Sequence, residues 1–239
     1  MSLQIYQIPA LTDNYIYILH GEGRTAVIDP SESKDVLHFL QQRDWPLDYI
    51  LNTHHHHDHV GGNNDIKQYK QCLVYASRHD QERIPSCDKG LIEADIITLG
   101  KHVIQIIDIP GHTSGHIAYY LPQDAVLFCG DTLFSMGCGR VFEGTMEQLY
   151  DSLQKIKALP DDTMVYCAHE YTVKNIDFAL TLDPENKDLQ EKLSEATAKR
   201  EMGKSTVPTF LGDEKKYNPF LKATSLEEFK KIRLMKDDF

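Results

Sequence analysis

Thr53-His54-His55-His56-His57-Asp58-His59 is the stretch that decides how this 239-residue chain is read. It follows Tyr49-Ile50-Leu51, an apolar run that reads as a buried strand, and it precedes the turn pair Gly61-Gly62. It therefore lies on the loop at a strand's carboxyl end, where α/β folds gather functional loops. Imidazole nitrogens and carboxylates are the ligands of zinc and other borderline divalent metals. In a tight loop His54 and His56 can point one way while Asp58 and His59 turn toward a second centre. A histidine tract at a chain end would be a loose chelator, but this one sits between a strand and a turn.

Three further segments end the same way. Ile109-Pro110-Gly111-His112-Thr113-Ser114-Gly115-His116 places a histidine just past a strand. Phe128-Cys129-Gly130-Asp131-Thr132 places an aspartate there, and Tyr166-Cys167-Ala168-His169-Glu170 another histidine. One such residue is most often an ordinary loop residue. Their repetition at strand ends points to one edge of a sheet, where α/β folds build sites.

The surrounding pattern is β-rich at first. Strands are predicted at Leu3–Ile8, Tyr15–His20, Thr25–Asp29, Tyr49–Leu51, Leu73–Ala76, His102–Ile109, Ile117–Leu121, Ala125–Cys129 and Met164–Cys167. Helices are predicted at Lys34–Arg43, capped by Ser33, at Asn64–Tyr69 and at Met146–Ala158. After residue 170 the composition turns to Ala, Leu, Glu and Lys, with helices at Thr172–Leu182, Lys187–Met202 and Leu226–Met235 and no strong strand. The chain thus reads as a mixed α/β domain over 1–170 and a helical region over 171–239.

The ordered set THxHxDH, GHTSGH, GDT and a late strand-end histidine resembles the metallo-β-lactamase superfamily. That resemblance implies an α/β (α+β) four-layer αββα sandwich with a two-metal site. By motif position, His54, His56 and His112 would hold one ion and Asp58, His59 and His169 the other. Asp131 would bridge them beside a bridging hydroxide that Asp58 helps to orient. Zinc is the expected ion, and iron and manganese suit the same ligands. His55 and His57 fall at variable positions of the motif and are not counted as ligands. Asp29 and His116 are read as supporting residues.

Residues beyond the bridging aspartate narrow the resemblance to the glyoxalase II family of thioester hydrolases. They are Phe134–Thr145, His169-Glu170-Tyr171-Thr172 with Asn175, Tyr217–Leu221 and Arg233–Asp237. The resemblance implies hydrolysis of S-(2-hydroxyacyl)glutathione, typically S-D-lactoylglutathione, to glutathione and D-lactate, the second step of methylglyoxal detoxification. Residues 171–239 would complete the glutathione pocket, with Arg140, Tyr171, Arg233 and Lys236 as substrate contacts. Animal members of the family carry Lys and Tyr where this chain has Arg140 and Phe142. Arg keeps the charge; Phe142 removes a hydroxyl contact and still allows a main-chain one.

Composition bounds the alternatives. Twenty-five basic against 36 acidic residues give a net charge of −11, which disfavours nucleic acid and anionic membranes as partners. From residue 200 onward there are nine Lys/Arg against seven Asp/Glu, and Arg233 and Lys236 share a helical face as candidate carboxylate ligands. The five cysteines form no CxxC pair, and the start Met1–Asn14 lacks a basic, apolar leader. A cytoplasmic, monomeric enzyme with reduced thiols is expected. A secreted β-lactamase, a basic nuclease, a single-iron persulfide dioxygenase and a non-catalytic metal sensor fit these features less well.

Overall fold

The computed structural model describes residues 2–239. The chain divides into two compact units: one runs to Asp108 and resumes over Gly115–Gly130, and the other takes Ile109–Ser114 and Asp131–Phe239.

The first unit is built on a sheet of six strands in sequential order: β1 (Gln4–Ala10), β2 (Asn14–Gly21), β3 (Arg24–Ile28), β4 (Tyr49–Leu51), β5 (Leu73–Ser77) and β6 (Lys89–Leu91). Pairing is antiparallel from β1 to β3 and parallel from β3 to β6. The parallel steps need crossovers. These are α1 (Lys34–Arg43) between β3 and β4, and α2 (His57–Val60) with α3 (Asn63–Lys70) between β4 and β5. Val36 and Leu40 of α1 and Ile66 of α3 are fully buried against Ile16, Val27, Ile50 and Val74 of the strands. Each such aliphatic side chain stabilises the unit by about 1.5–3 kcal/mol. Ser33 sits at the start of α1 as predicted, but its hydroxyl donates to Asp65 instead of capping the helix.

A second set, β7 (Ile96–Leu99), β8 (His102–Asp108), β9 (Ile117–Leu121) and β10 (Val126–Gly130), forms an antiparallel meander. It faces the first sheet through buried aromatics. Phe128 lies 5.3 Å from the Tyr17 ring, and the Tyr119 hydroxyl donates to the Asn52 carbonyl at 2.9 Å. The strands β6 and β7 were not predicted, because three or four residues are too few to show alternation.

The second unit contains the hairpin β11 (Leu133–Phe134) and β12 (Gly137–Cys138), then α4 (Met146–Lys157), β13 (Met164–Cys167), α5 (Thr172–Leu182) and α6 (Lys187–Glu201). It ends with β14 (Thr209–Phe210), α7 (Leu211–Tyr217), α8 (Pro219–Lys222) and α9 (Leu226–Asp237). Helix α4 starts with a complete capping box between Thr145 and Gln148. Strand β14 corrects the expectation of no strand beyond residue 170: it pairs antiparallel with β13, and its two residues carry no periodic signal.

Glu214 and Asn218, both fully buried, tie α7 to the hairpin. Glu214 Oε2 accepts from Met136 N and Asn218 Nδ2, and Asn218 Nδ2 also reaches the Gly137 carbonyl at 3.0 Å. Burial pushes the Glu214 carboxyl up to about 7 from 4.5, against the opposing pull of those hydrogen bonds. The fold therefore favours the protonated form. This contribution is whole below pH 4.5 and is lost as pH rises through about 7, an effect of about 3 kcal/mol. Glu214→Gln keeps the acceptor oxygen without the charge. Between pH 5 and pH 8 the melting temperature of the metal-free variant should gain roughly 5 °C or more on the parent chain. A difference that does not change with pH would show that Glu214 is neutral, or is charged without cost, throughout.

Candidate functional site

Strand register delivers the first group of ligands. In the parallel pair β3–β4, Ile28 is opposite Leu51, so the residues that follow, Asp29 and Asn52-Thr53, emerge side by side. Asp29 is buried with φ of 49°. Its carboxylate accepts from Thr53 N at 2.8 Å, Thr53 Oγ1 at 2.6 Å and His59 Nδ1 at 2.9 Å. Because Thr53 Oγ1 gives its proton to Asp29, it accepts from His54 Nδ1 at 3.1 Å. These bonds fix two tautomers: the Nε2 atoms of His54 and His59 carry lone pairs.

The donor atoms of this unit then fall into two pairs. His54 Nε2 and His56 Nδ1 are 3.0 Å apart, and His59 Nε2 and Asp58 Oδ2 are 3.5 Å apart. Ligands on one tetrahedral zinc at 2.0–2.1 Å stand about 3.3 Å apart, so each pair has the spacing of a chelate. Asp58 is aimed by Asn14, whose Nδ2 donates to Asp58 Oδ2 at 2.9 Å and to its carbonyl at 3.2 Å. His116 is buried and stacks on His54 at 4.6 Å, with Nδ1 directed to the Ile117 carbonyl. Gly130 lies against the same group. Its φ is +48°, and a Cβ there would overlap Thr53 Oγ1 and the His116 ring.

The second unit gathers His112, Asp131 and His169, all nearly buried. His112 Nδ1 donates to the Arg140 carbonyl at 2.8 Å, which leaves its Nε2 lone pair 3.5 Å from Asp131 Oδ2. His169 Nε2 lies 3.4 Å from the same oxygen. One carboxylate oxygen thus stands at chelate distance from two histidines. His169 stacks parallel on Tyr171 at 4.9 Å.

This unit also carries a cleft of about 370 Å³, lined by His112 and Asp131 and by four cations: Arg140, Lys174, Arg233 and Lys236. Tyr171 and Phe142 complete its wall. Burial, then the charges of Arg233, Lys174 and Arg140, push Lys236 down to about 8, with Asp177 opposing. Arg233 is only 2% exposed. It donates to the Cys138 carbonyl at 2.9 Å and to Asp237 at 3.0 Å, over the face of Phe220. Arg140 Nε lies 3.3 Å from the same Asp237 oxygen. The Phe142 N–H donates to the His112 carbonyl at 3.1 Å, so a main-chain contact to substrate there would use the carbonyl oxygen.

All the predicted site residues fall within these two groups and the cleft. Sequence reading missed Asn14 and Lys174, one exposed-helix lysine among several. Among the described residues no helix is long and apolar enough to cross a membrane.

Comparison with known proteins accounts for the whole chain. Residues 11–169 match the metallo-beta-lactamase superfamily and residues 170–239 the hydroxyacylglutathione hydrolase C-terminus. The hydroxyacylglutathione hydrolase of Rhodospirillum rubrum is 46% identical, covering 100% of this chain and 99% of its own. That of Methylococcus capsulatus is also 46% identical, covering 99% of each. Among solved structures, ETHE1 from Myxococcus xanthus matches with a TM-score of 0.74 at 27% identity, over 98% of this chain and 90% of that one. The BLEG-1 B3 metallo-beta-lactamase shares the fold with a TM-score of 0.72 at 23% identity, over 92% of this chain and 100% of that one. The fold class expected from sequence is the one these structures share. The chain belongs to the hydroxyacylglutathione hydrolase family of the metallo-β-lactamase superfamily.

Proposed function

We propose that the chain hydrolyses S-(2-hydroxyacyl)glutathione thioesters, S-D-lactoylglutathione foremost, to glutathione and a 2-hydroxy acid. The observation that carries this reading is the cleft itself: the candidate ligands His112 and Asp131 share one cavity with Arg140, Lys174, Arg233 and Lys236. A glutathione thioester presents a reacting carbonyl and two carboxylates, which call for these two kinds of lining. Family membership and the named relatives support the same assignment.

In this reading His54, His56 and His112 hold one divalent ion, Asp58, His59 and His169 hold a second, and Asp131 belongs to both. Zinc suits this nitrogen and oxygen set, with iron or manganese as alternatives. Two such ions supply Lewis acidity, polarising the thioester carbonyl and making water a nucleophile near neutral pH. The protein's part is positioning. Asp29 and the Arg140 carbonyl keep the histidine tautomers ready for ligation, and Asn14 holds Asp58 where it can orient the attacking water. Arg140, Tyr171, Arg233 and Lys236 grip the glutathione moiety. The leaving thiolate, with a reference pKa of about 8.5, departs without a proton donor, so the site has no need of a general acid. Residues 1–170 then carry the metal ligands, and 171–239 complete the glutathione pocket, in cytoplasmic metabolism of methylglyoxal-derived thioesters.

The direct test is hydrolysis of S-D-lactoylglutathione with metal content measured on the same sample. Turnover that rises with metal occupancy toward two equivalents is expected; a metal-loaded chain that leaves this thioester intact would overturn the reading. Lys236 adds a pH signature. It is charged below about 8 and neutral above, so kcat/KM should fall as pH passes 8. Lys236→Arg, which stays charged, should move that limb to higher pH. A limb unmoved in the variant would place the titration elsewhere.

A further inference from the structure

The geometry points to Asp80 as a positioning residue for the metal-binding loop, acting through His55, one of the two histidines the motif leaves out. The inference rests on the metal reading above and concerns residues to which that reading gives no role. Asp80 ends a short turn of 3-10 helix, Arg78–Asp80, and is fully buried. A carboxylate is retained at such depth only when it is paired. Its Oδ2 accepts from His55 Nδ1 at 3.1 Å, and its Oδ1 accepts from His79 Nδ1 at 3.1 Å and Arg83 Nη1 at 3.2 Å. Arg83 Nη2 closes the ring by donating to His55 Nε2.

This arrangement defines the state of His55. Nδ1 gives its proton to a carboxylate and Nε2 receives one from a guanidinium, so the ring is neutral, has one tautomer and is held at both nitrogens. His55 stands between His54 and His56 on irregular backbone, where no helix or strand sets side-chain directions. Two buried carboxylates set them instead. Asp29 holds Thr53 and His59, and Asp80 holds His55, so His54 and His56 sit on a loop pinned at three points, with His54 also tied to Asp29 through Thr53 Oγ1. Asp80 also abuts the GHTSGH motif. A Cβ on Gly115 would collide with its carboxylate, so only glycine admits this approach. Loss of such supporting partners typically costs about 10- to 100-fold in metal affinity.

The test is zinc affinity of the full-length chain, measured after chelator stripping by competition with a chromogenic chelator, beside melting of each metal-free protein. Asp80→Ala and His55→Ala are each expected to weaken zinc binding about 10- to 100-fold. Asp80→Asn, which keeps an acceptor for His55, should recover part of that loss. KM for the thioester should stay at the parent value. A purely structural role predicts a different result: lower melting temperatures with parental zinc affinity, which would overturn the inference. If Asp80→Ala does not fold, His55→Ala decides, since His55 is at the rim of the core with a side chain 14% exposed. Parental affinity in that variant would likewise overturn it. If the parent chain itself binds no zinc, the metal reading fails and takes this inference with it. Strong binding by the parent and both variants removes the inference alone.

Discussion

Replacing Asp131 with alanine is expected to abolish turnover and to strip metal from the chain. The Oδ2 atom of this residue lies 3.5 Å from His112 Nε2 and 3.4 Å from His169 Nε2, histidines assigned to different ions. A single substitution therefore removes a ligand from each ion and the negative charge that lets two cations share one site. Metal binding is coupled to ligand charge, so the loss should exceed the about 10- to 100-fold that follows removal of a mere supporting partner. Asp131→Asn keeps the shape without the charge and should be nearly as damaging. Elemental analysis and kcat on the same preparations check this. Two equivalents of metal with near-parental kcat would remove the bridging assignment.

The second large effect is expected at the other end of substrate recognition. Lys236→Ala should raise KM for S-D-lactoylglutathione roughly 10- to 100-fold, the value of a hydrogen bond to a charged group. With kcat little changed, this is the mark of binding lost equally from ground and transition states. Salt should shrink the difference, since it screens the parent chain's attraction. A small thioester without the glutathione carboxylates should show no difference at all. Arg140→Ala should behave alike, because that side chain is largely exposed and anchors little else. Arg233→Ala is a poorer probe: its guanidinium also holds the Cys138 carbonyl and Asp237, so its loss should lower the melting temperature as well. Equal KM effects on both substrates in Lys236→Ala would show that the residue acts on the fold, and the anion-binding role would be dropped.

What could be read in advance follows a physical dividing line. The proposed metal ligands were legible because they are chemically rare and sit at the ends of strands that periodicity reveals; His54, His56 and His112 need no partner to be noticed. Asp29 was legible through its place after Val27-Ile28. Asn14, Lys174 and Asp80 were not. Each is a common polar residue whose meaning lies in what the fold brings to it, such as Asp58 for Asn14 and His55 for Asp80. Arg233 was correctly placed on a helix beside Lys236. Its burial was illegible, because Cys138 and Phe220, which cover it, are remote or aperiodic in sequence. The strands β6, β7 and β14 were lost for want of length.

The bond from His112 to the carbonyl of Arg140 has a thermodynamic consequence. One residue offers its guanidinium to the cleft and its backbone oxygen to His112, a proposed metal ligand. Ligand and ion then act on the same short peptide segment, and their affinities become linked functions. By whatever factor a bound glutathione carboxylate tightens the ion, the ion tightens glutathione by the same factor. Where that factor exceeds one, starving the chain of metal weakens its hold on product and substrate as well as stopping its chemistry.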